Sequence, residues 1–117
     1  MRVIIESPFA GGYKNVVYGR RAVLDSLSRG ESPYASHLLY AQKGMLDDRN
    51  PDQRKRGIVA ANGWLEVADY VAVYCDLGIT TGMVIGMVKA ARMQKSIRLR
   101  WIIESTREIV LETDQDA

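Results

Sequence analysis

Two carboxylates stand where the sequence predicts that strands end. Asp76 comes directly after the apolar run 70–75, and Glu6 ends the β-branched run 2–6. A strand buried on both faces holds such a carboxylate rigidly at the end of its sheet, where it can bind or attack a ligand. For Asp76 the alternative is a turn residue that accepts backbone N–H bonds. The sequence alone leaves both roles open.

Glycines and aromatic residues follow the same predicted strands. Glycine lets the backbone approach a ligand closely, and an aromatic ring such as that of Phe9 can stack on a base. In open parallel sheets, ligands bind outside the carboxyl ends of the strands, near the free N–H groups of helix N-termini. The predicted ligand-binding residues, which all follow predicted strands or end them, are Ser7, Phe9, Gly11, Tyr13, Tyr40, Asp76, Gly78, Thr80, Thr81, Gly82 and Met83. The alternative is that these glycines and aromatics serve only the fold.

Other residue types that often carry chemistry offer less here. Gly11-Gly12 fits neither a P-loop nor the G-x-G-x-x-G pattern of dinucleotide-binding sites. The one histidine, His37, is predicted to begin a strand at the end opposite the site, in a structural role. Asp47 and Asp48 are interpreted as part of a solvated loop. Because the sequence has one histidine and one cysteine, we expect no metal site, and we expect no cofactor.

Strands and helices are predicted to alternate along the chain. The predicted strands are 2–6, 36–40, 70–75 and 97–103, and the predicted helices are 15–29, Pro51–Val67, 80–91 and 102–111. Asn15 and either Thr80 or Thr81 are the expected N-caps of the first and third helices. Arg98 and Arg100 alternate with apolar residues, which is typical of an edge strand with one face in solvent.

This alternation predicts the fold class. We expect a single three-layer α/β domain, Rossmann-like or flavodoxin-like, with a mainly parallel sheet of four or five strands. We place this domain at residues 1–103 and interpret residues 104–117 as a C-terminal helix or tail.

The composition is that of an ordinary globular domain. The 117 residues are 47% hydrophobic and 26% charged, with a net charge of +2 and a mean hydropathy of −0.15. This charge is too small for the dense basic face of a nucleic-acid-binding protein. No apolar stretch is long enough to span a membrane, and the N-terminal run is too short for a secretory signal. One cysteine fits a reducing compartment, so we expect a cytoplasmic protein that binds neither membrane nor nucleic acid.

Four segments carry a resemblance to a known superfamily. They are Val-Ile-Ile-Glu-Ser-Pro-Phe-Ala-Gly at 3–11, Gly-Glu-Ser-Pro-Tyr-Ala-Ser-His-Leu-Leu-Tyr at 30–40, Leu-Asp-Asp at 46–48, and Ala-Asp-Tyr-Val-Ala-Val-Tyr-Cys-Asp-Leu-Gly-Ile at 68–79 running to Gly-Met at 82–83. Together they resemble the nucleoside 2-deoxyribosyltransferase-like superfamily, and within it a group of small domains common in phages and prophages. The resemblance covers roughly residues 1–100.

The resemblance implies a ligand frame but not the transferase reaction. The transferases attack the anomeric carbon of a 2-deoxynucleoside with a glutamate on the helix after the third strand, and alignment at Gly82 places Gly86 where that glutamate stands. The predicted third helix contains no Asp or Glu, so the transferase nucleophile is expected to be absent. Members of the superfamily are often oligomers with shared sites, and a homo-oligomer is therefore expected.

Three functions follow from these observations. The leading one is binding of a nucleoside- or nucleotide-derived small molecule without transferase activity, in a phage setting as sequestration or processing of a signalling nucleotide in the host cytoplasm. The second is an N-glycosidase or nucleotide hydrolase that uses Asp76 or Glu6 as its carboxylate. The third is a homo-oligomeric interaction protein whose working surface is residues 102–111. Fold alone does not choose among them.

Overall fold

The computed structural model describes residues 1–112. Its elements, in chain order, are β1 (Arg2–Glu6), α1 (Tyr13–Ser28), β2 (Ser32–Tyr34), α2 (Ser36–Tyr40), α3 (Pro51–Val67), β3 (Tyr70–Tyr74), α4 (Thr81–Arg92), β4 (Ser96–Trp101) and β5 (Arg107–Leu111). Local signals fix two of the helix starts. The Asn50 side chain accepts hydrogen bonds from the first-turn amides of α3, and the Thr80 hydroxyl accepts one from Met83 N at 3.3 Å. Both starts agree with the sequence prediction.

The five strands form one sheet in the order β2-β1-β3-β4-β5. The first three neighbouring pairs are parallel and β4 pairs with β5 antiparallel. Helix α1 packs against one face of the sheet, while α3 and α4 pack against the other. This is the flavodoxin-like order, and it confirms the predicted three-layer α/β domain with a mainly parallel sheet.

The core lies on both sides of β3, whose five residues are all buried. On the α1 side, Tyr18 and Ala22 pack against Val3, Ile5 and neighbouring residues of the sheet. On the other side, apolar side chains of α3 and α4 pack against the opposite face of β3. A run that is apolar on both faces predicts such a central strand, and the prediction is confirmed.

Two predictions in the first half of the chain are wrong. Residues 36–40 form the short helix α2 instead of a strand, and the strand that pairs with β1 is the preceding segment Ser32–Tyr34. Pro33 is tolerated there because β2 lies at the sheet edge. No strand of residues 1–112 lies on its outer side to need a hydrogen bond from the N–H that proline lacks. Helix α1 begins at Tyr13, and Asn15 lies inside it, donating from Nδ2 to the carbonyl oxygen of Ala10 at 2.6 Å.

Two further predictions fail at the C-terminal end. The predicted helix over 102–111 is wrong, because residues 107–111 form β5. Since β5 pairs with β4, β4 is an interior strand and not the predicted edge strand. The proposed division near residue 103 stays a prediction, and the tail beyond residue 112 lies outside the described residues.

Arg100 on β4 is the center of a buried ion network, although its alternating pattern predicted a solvent-facing side chain. Its Nη2 lies 2.6 Å from Glu31 Oε2, its Nε lies 2.6 Å from Glu108 Oε2, and its Nη1 donates to Tyr74 OH at 3.1 Å. Burial alone would raise the pKa of Glu31, but hydrogen bonds from Arg100, Tyr70 and Ser26 outweigh it and lower the pKa to about 2. The network ties β5, through Glu108, to the interior of the domain.

Within residues 1–112, every helix is too short or too polar to cross a membrane.

Candidate functional site

A cavity of about 540 Å³ lies between α3 and α4, above the strands β1 and β3. Ile4 and Glu6 of β1 and Val71 of β3 form part of its floor. The strand order reverses between β1 and β3, because β2 lies on one side of β1 and β3 on the other. Ligands of doubly wound sheets bind at such a switch point, and the volume is typical of a small-molecule site.

The cavity brings together most of the residues predicted from the loops. Those that line it are Ser7, Phe9, Tyr40, Thr80, Thr81, Gly82 and Met83, together with Glu6 and Gly86. Four predicted residues lie outside its lining, namely Gly11, Tyr13, Asp76 and Gly78. The glycines 11 and 78 have φ values of 116° and 91°, which a turn requires and which L side chains rarely adopt. Tyr13 is 72% exposed at the start of α1.

Glu6 brings a carboxylate to the middle of α4. A Cβ atom added at Gly86 would lie 2.6 Å from Glu6 Oε2 and 2.8 Å from Glu6 Cδ, so the carboxylate fills the space where a side chain at position 86 would begin. Burial raises the pKa of Glu6 from 4.5 to about 7, and the positive charge of Lys89 acts in the opposite direction. A cavity-facing carboxyl group that titrates near neutral pH is suited to chemistry.

His37 lines the cavity, so its predicted place at the opposite end of the sheet is wrong. Its Nε2 lies 2.8 Å from Ser7 Oγ, and its ring packs edge-on against Phe9 with 5.8 Å between centroids. Burial lowers the pKa of His37 to about 4, so the imidazole is neutral at pH 7. These contacts hold α2 over the C-terminal end of β1. The error arose because His37 belongs to a helix and not to a strand.

Asp76 turns away from the cavity and ties the end of β3 to neighbouring elements. Its carboxylate accepts hydrogen bonds from Tyr18 OH at 2.5 Å and from the backbone N–H groups of Ile102 and Ile103 at about 3 Å. Burial alone would raise the pKa of Asp76, but these hydrogen bonds outweigh it and lower the pKa. The geometry matches the alternative role of a turn residue, and the ligand contact predicted for Asp76 is not present in the cavity lining.

Asp76→Asn is therefore expected to destabilise the fold and to leave the affinity for a ligand of the cavity unchanged. One amide group cannot accept all three hydrogen bonds, and a buried donor left without its partner costs about 1–3 kcal/mol. Urea unfolding measures the loss, and isothermal titration measures binding. Asp52→Asn on the exposed surface of α3 is the control. A strong loss of ligand affinity without loss of stability would contradict this role.

Several cavity residues fall outside the set predicted from the sequence, among them Lys89, Asn62 and Tyr34. Lys89 on α4 and Asn62 on α3 face each other across the cavity, with Lys89 Nζ 3.3 Å from Asn62 Oδ1. Tyr34 also lines the cavity, and its ring packs 5.0 Å from Trp64 by centroids. The helical spacing of Gly86 and Lys89, three residues apart on one face, is the signal that would have found Lys89. For Tyr34 and Asn62 the sequence carries no such signal.

The residues that the structure describes contain no group of three His, Cys, Asp or Glu side chains that could hold a metal ion.

Comparisons with known proteins agree with this fold. A model of the family described as "Domain of unknown function (DUF7768)" matches residues 1–100. A search of curated proteins finds no match. Among solved structures, a 2-deoxyribosyltransferase from Bacillus psychrosaccharolyticus superposes with a TM-score of 0.69 at 15% identity, over 89% of this chain and 77% of that one. A CMP N-glycosidase from Clostridium botulinum superposes with a TM-score of 0.54 at 17% identity, over 86% and 71% of the two chains. At these identities the likeness concerns the fold.

Proposed function

The chain belongs to the DUF7768 family of domains of unknown function, and from its own geometry we propose that it binds a nucleoside- or nucleotide-derived small molecule in the cavity between α3 and α4. The observation that carries the proposal is the carboxylate of Glu6, which lies against Gly86 on the cavity wall. Around it the lining offers aromatic rings for a base and polar groups for a sugar. The names of the two superposed proteins concern nucleosides and a nucleotide, which supports the same ligand class.

The cavity can accommodate the parts of such a ligand separately. Phe9, Tyr34 and Tyr40 lie toward α2 and supply aromatic surface for a base. Glu6 of β1, whose carboxylate lies beside the middle of α4, is the acceptor for a sugar hydroxyl or the partner of the anomeric carbon. Thr81 and Gly82 in the first turn of α4 present free backbone N–H groups.

A second candidate function, cleavage of an N-glycosidic bond, is favoured by the contact between Glu6 and Gly86. The resemblance places the transferase glutamate at position 86, and in this chain the Glu6 carboxylate occupies that space from β1. In its ionised form, Glu6 bonds to the anomeric carbon as the bond to the base breaks and the base leaves with the electron pair. Water then attacks the anomeric carbon of the resulting ester, so that its hydroxyl group stays on the sugar, its proton goes to the released base and the Glu6 carboxylate is restored. Asp76 is not part of this proposal, because Tyr18, Ile102 and Ile103 already donate to its carboxylate.

Mass spectrometry of small molecules recovered from the protein tests the two candidates together. The protein is incubated with a pool of nucleosides and nucleotides, washed and denatured. An intact molecule that is retained supports binding, and in a phage protein this would serve to sequester a signalling nucleotide. A free base with its sugar product supports cleavage. Recovery of neither, at ligand concentrations up to millimolar, would contradict the proposed function.

Gly86→Ala is expected to reduce ligand affinity or turnover strongly and to leave the protein folded. The new Cβ would lie 2.6 Å from Glu6 Oε2, so the flexible carboxylate must swing away from the cavity wall. A misplacement of a reacting group by about 1 Å costs about 100-fold in turnover. Calorimetry measures binding, and product formation measures turnover.

Gly63→Ala on α3 is the matched control, since a Cβ there meets nothing within 4 Å and Gly63 does not line the cavity. Both variants gain about 1 kcal/mol of helix propensity, so their melting temperatures are expected to rise together. Wild-type function in Gly86→Ala would show that the position of the Glu6 carboxylate does not matter.

A homo-oligomer remains part of the proposal. Helices α3 and α4 expose apolar side chains beside the cavity, namely Val59, Trp64, Val67, Val84, Ile85 and Val88, each between 43% and 61% exposed. A second copy packed on this surface would cover part of the cavity mouth, because Ile85 also lines the cavity. Sedimentation velocity over a range of concentrations measures the assembly, and a monomer throughout would contradict it.

A further inference from the structure

Lys89 places a positive charge inside the cavity, where it acts on the Glu6 carboxyl, but no carboxylate of residues 1–112 lies within salt-bridge distance of it. Its ammonium group donates to Asn62 Oδ1 at 3.3 Å, and the ion pairs of residues 1–112 do not include it. The other cation of the lining, Arg54, has a partner, since its Nε lies 3.9 Å from Asp48 Oδ1. An ammonium group has three donors, and Asn62 takes one of them. Lys89 therefore has capacity for an anionic partner.

The place of Lys89 along α4 defines where that partner would sit. Gly86 and Lys89 are three residues apart on the same helix face, which separates them by about 4.5 Å along the axis. Because Glu6 lies against Gly86, its carboxyl group and the ammonium group of Lys89 lie beside neighbouring turns of α4 in the cavity. Asn62 adds a side-chain amide from the opposite helix, which supplies N–H donors beside the ammonium group.

Resting on the proposed function, we propose that Lys89 and Asn62 form a subsite for the phosphate of the ligand, which makes the ligand a nucleoside 5′-monophosphate rather than a nucleoside. The 5′-phosphate is joined to the sugar on the far side of the ring oxygen from the anomeric carbon. A phosphate at Lys89 therefore leaves the anomeric carbon facing Glu6, one helix turn away. A phosphate also supplies the negative charge and the several acceptor oxygens that an ammonium group and an amide can bind together.

The bond between Lys89 and Asn62 also has a purely structural explanation, as a bridge between α3 and α4. Loss of such a bridge would lower the stability of the fold and would change the affinities for nucleosides and for nucleotides by the same factor. A phosphate subsite affects the preference between the two. The preference for a monophosphate over its nucleoside is therefore the quantity to measure, because a structural role would not change it.

The experiment measures by calorimetry the affinity of the full chain for four nucleosides and their four 5′-monophosphates. The wild type is expected to bind at least one monophosphate about tenfold more tightly than its nucleoside, the size of a charge-assisted hydrogen bond. Lys89→Met is expected to lose this preference and to keep the affinity for the nucleoside. Lys89→Arg is expected to retain most of it, because it keeps the charge. Lys55→Met, at an exposed position outside the cavity lining, is expected to behave as the wild type.

Asn62→Asp provides a second test that keeps Lys89 in place. The new carboxylate would pair with the ammonium group and repel a phosphate, so the preference is expected to disappear. Equal binding of nucleoside and monophosphate by the wild type, or an unchanged preference in Lys89→Met, would overturn the phosphate subsite and leave the proposed function standing. Absence of binding for all eight compounds would overturn both.

Discussion

Glu6→Gln is expected to yield a protein that is more stable than the wild type at pH 8 and that no longer converts its ligand. Burial raises the pKa of the folded-state carboxyl from 4.5 to about 7. A group with a raised pKa contributes its stability below pH 4.5 and loses it as the pH rises through 7. The wild type therefore carries a cost of about 3 kcal/mol at pH 8, which a neutral amide does not carry.

The same substitution removes the group that would bond to the anomeric carbon. An amide oxygen is a poor nucleophile, so turnover is expected to fall by about 1,000-fold or more. In the wild type, turnover should rise with pH around 7 as the Glu6 carboxyl ionises. Binding of the intact ligand should survive, because a Gln side chain keeps an acceptor oxygen for the sugar hydroxyl at the place of the Glu6 carboxylate.

Urea unfolding of both proteins at pH 5 and pH 8, with product formation at pH 8, measures both effects. The stability difference is expected to be large at pH 8 and much smaller at pH 5. Glu104→Gln, in the exposed loop before β5, is the control and should match the wild type at both values. A Glu6→Gln protein that is less stable than the wild type at pH 8 would contradict the raised pKa that burial gives this carboxyl.

Arg100→Met is expected to lower the free energy of unfolding by about 3–5 kcal/mol, the cost of breaking a buried ion network from one side. The substitution leaves Glu31 and Glu108 without the guanidinium that lies 2.6 Å from each of them. The difference from the wild type should shrink in acid. The lowered pKa of Glu31 contributes stability above its unfolded value of 4.5, and that stability is lost as the pH falls through about 2.

Chemical unfolding at pH 7 and pH 3 measures this loss. The triple variant Arg100→Met, Glu31→Gln, Glu108→Gln removes the stranded charges and should recover a large part of the stability. Arg92→Met, exposed at the end of α4, should change stability by less than about 0.5 kcal/mol. A similar small effect in Arg100→Met would show that the network does not hold β5 in place.

The sequence predicted those elements whose determinants are local. The bounds of α3 follow from Asn50-Pro51 and its apolar spacing, and β3 follows from a run that is apolar on both faces. The prediction of a helix at β5 is wrong because Ile109 and Val110 fit either period, and the strand forms only through pairing with β4. The alternating pattern predicts a solvent-facing Arg100, because its partner Glu31 lies 69 residues away in sequence and leaves no local signal.

For a similar reason, the sequence predicts which loops line the cavity but not which side chains point into it. The loops after the strands do line the cavity, as the fold class implies. Glu6 and Asp76 both end apolar strands, but Glu6 turns toward Gly86 and Asp76 turns toward Tyr18. Which face a side chain takes at the end of a strand depends on the turn that follows. Sequence patterns do not specify that turn to within one residue.

The long separation between β1 and β3 has a consequence for how the molecule assembles. Arg2 N donates to Asp69, 67 residues further along the chain, where β1 meets β3. The strands β3, β4 and β5 follow one another with only α4 between them, so their pairing closes much shorter loops. Short loops close faster than long ones. The C-terminal half can thus order first, and the cavity is completed only when β1 arrives and delivers Glu6 to Gly86. A nascent chain could bind its ligand only after β3 and α4, which also line the cavity, had left the ribosome.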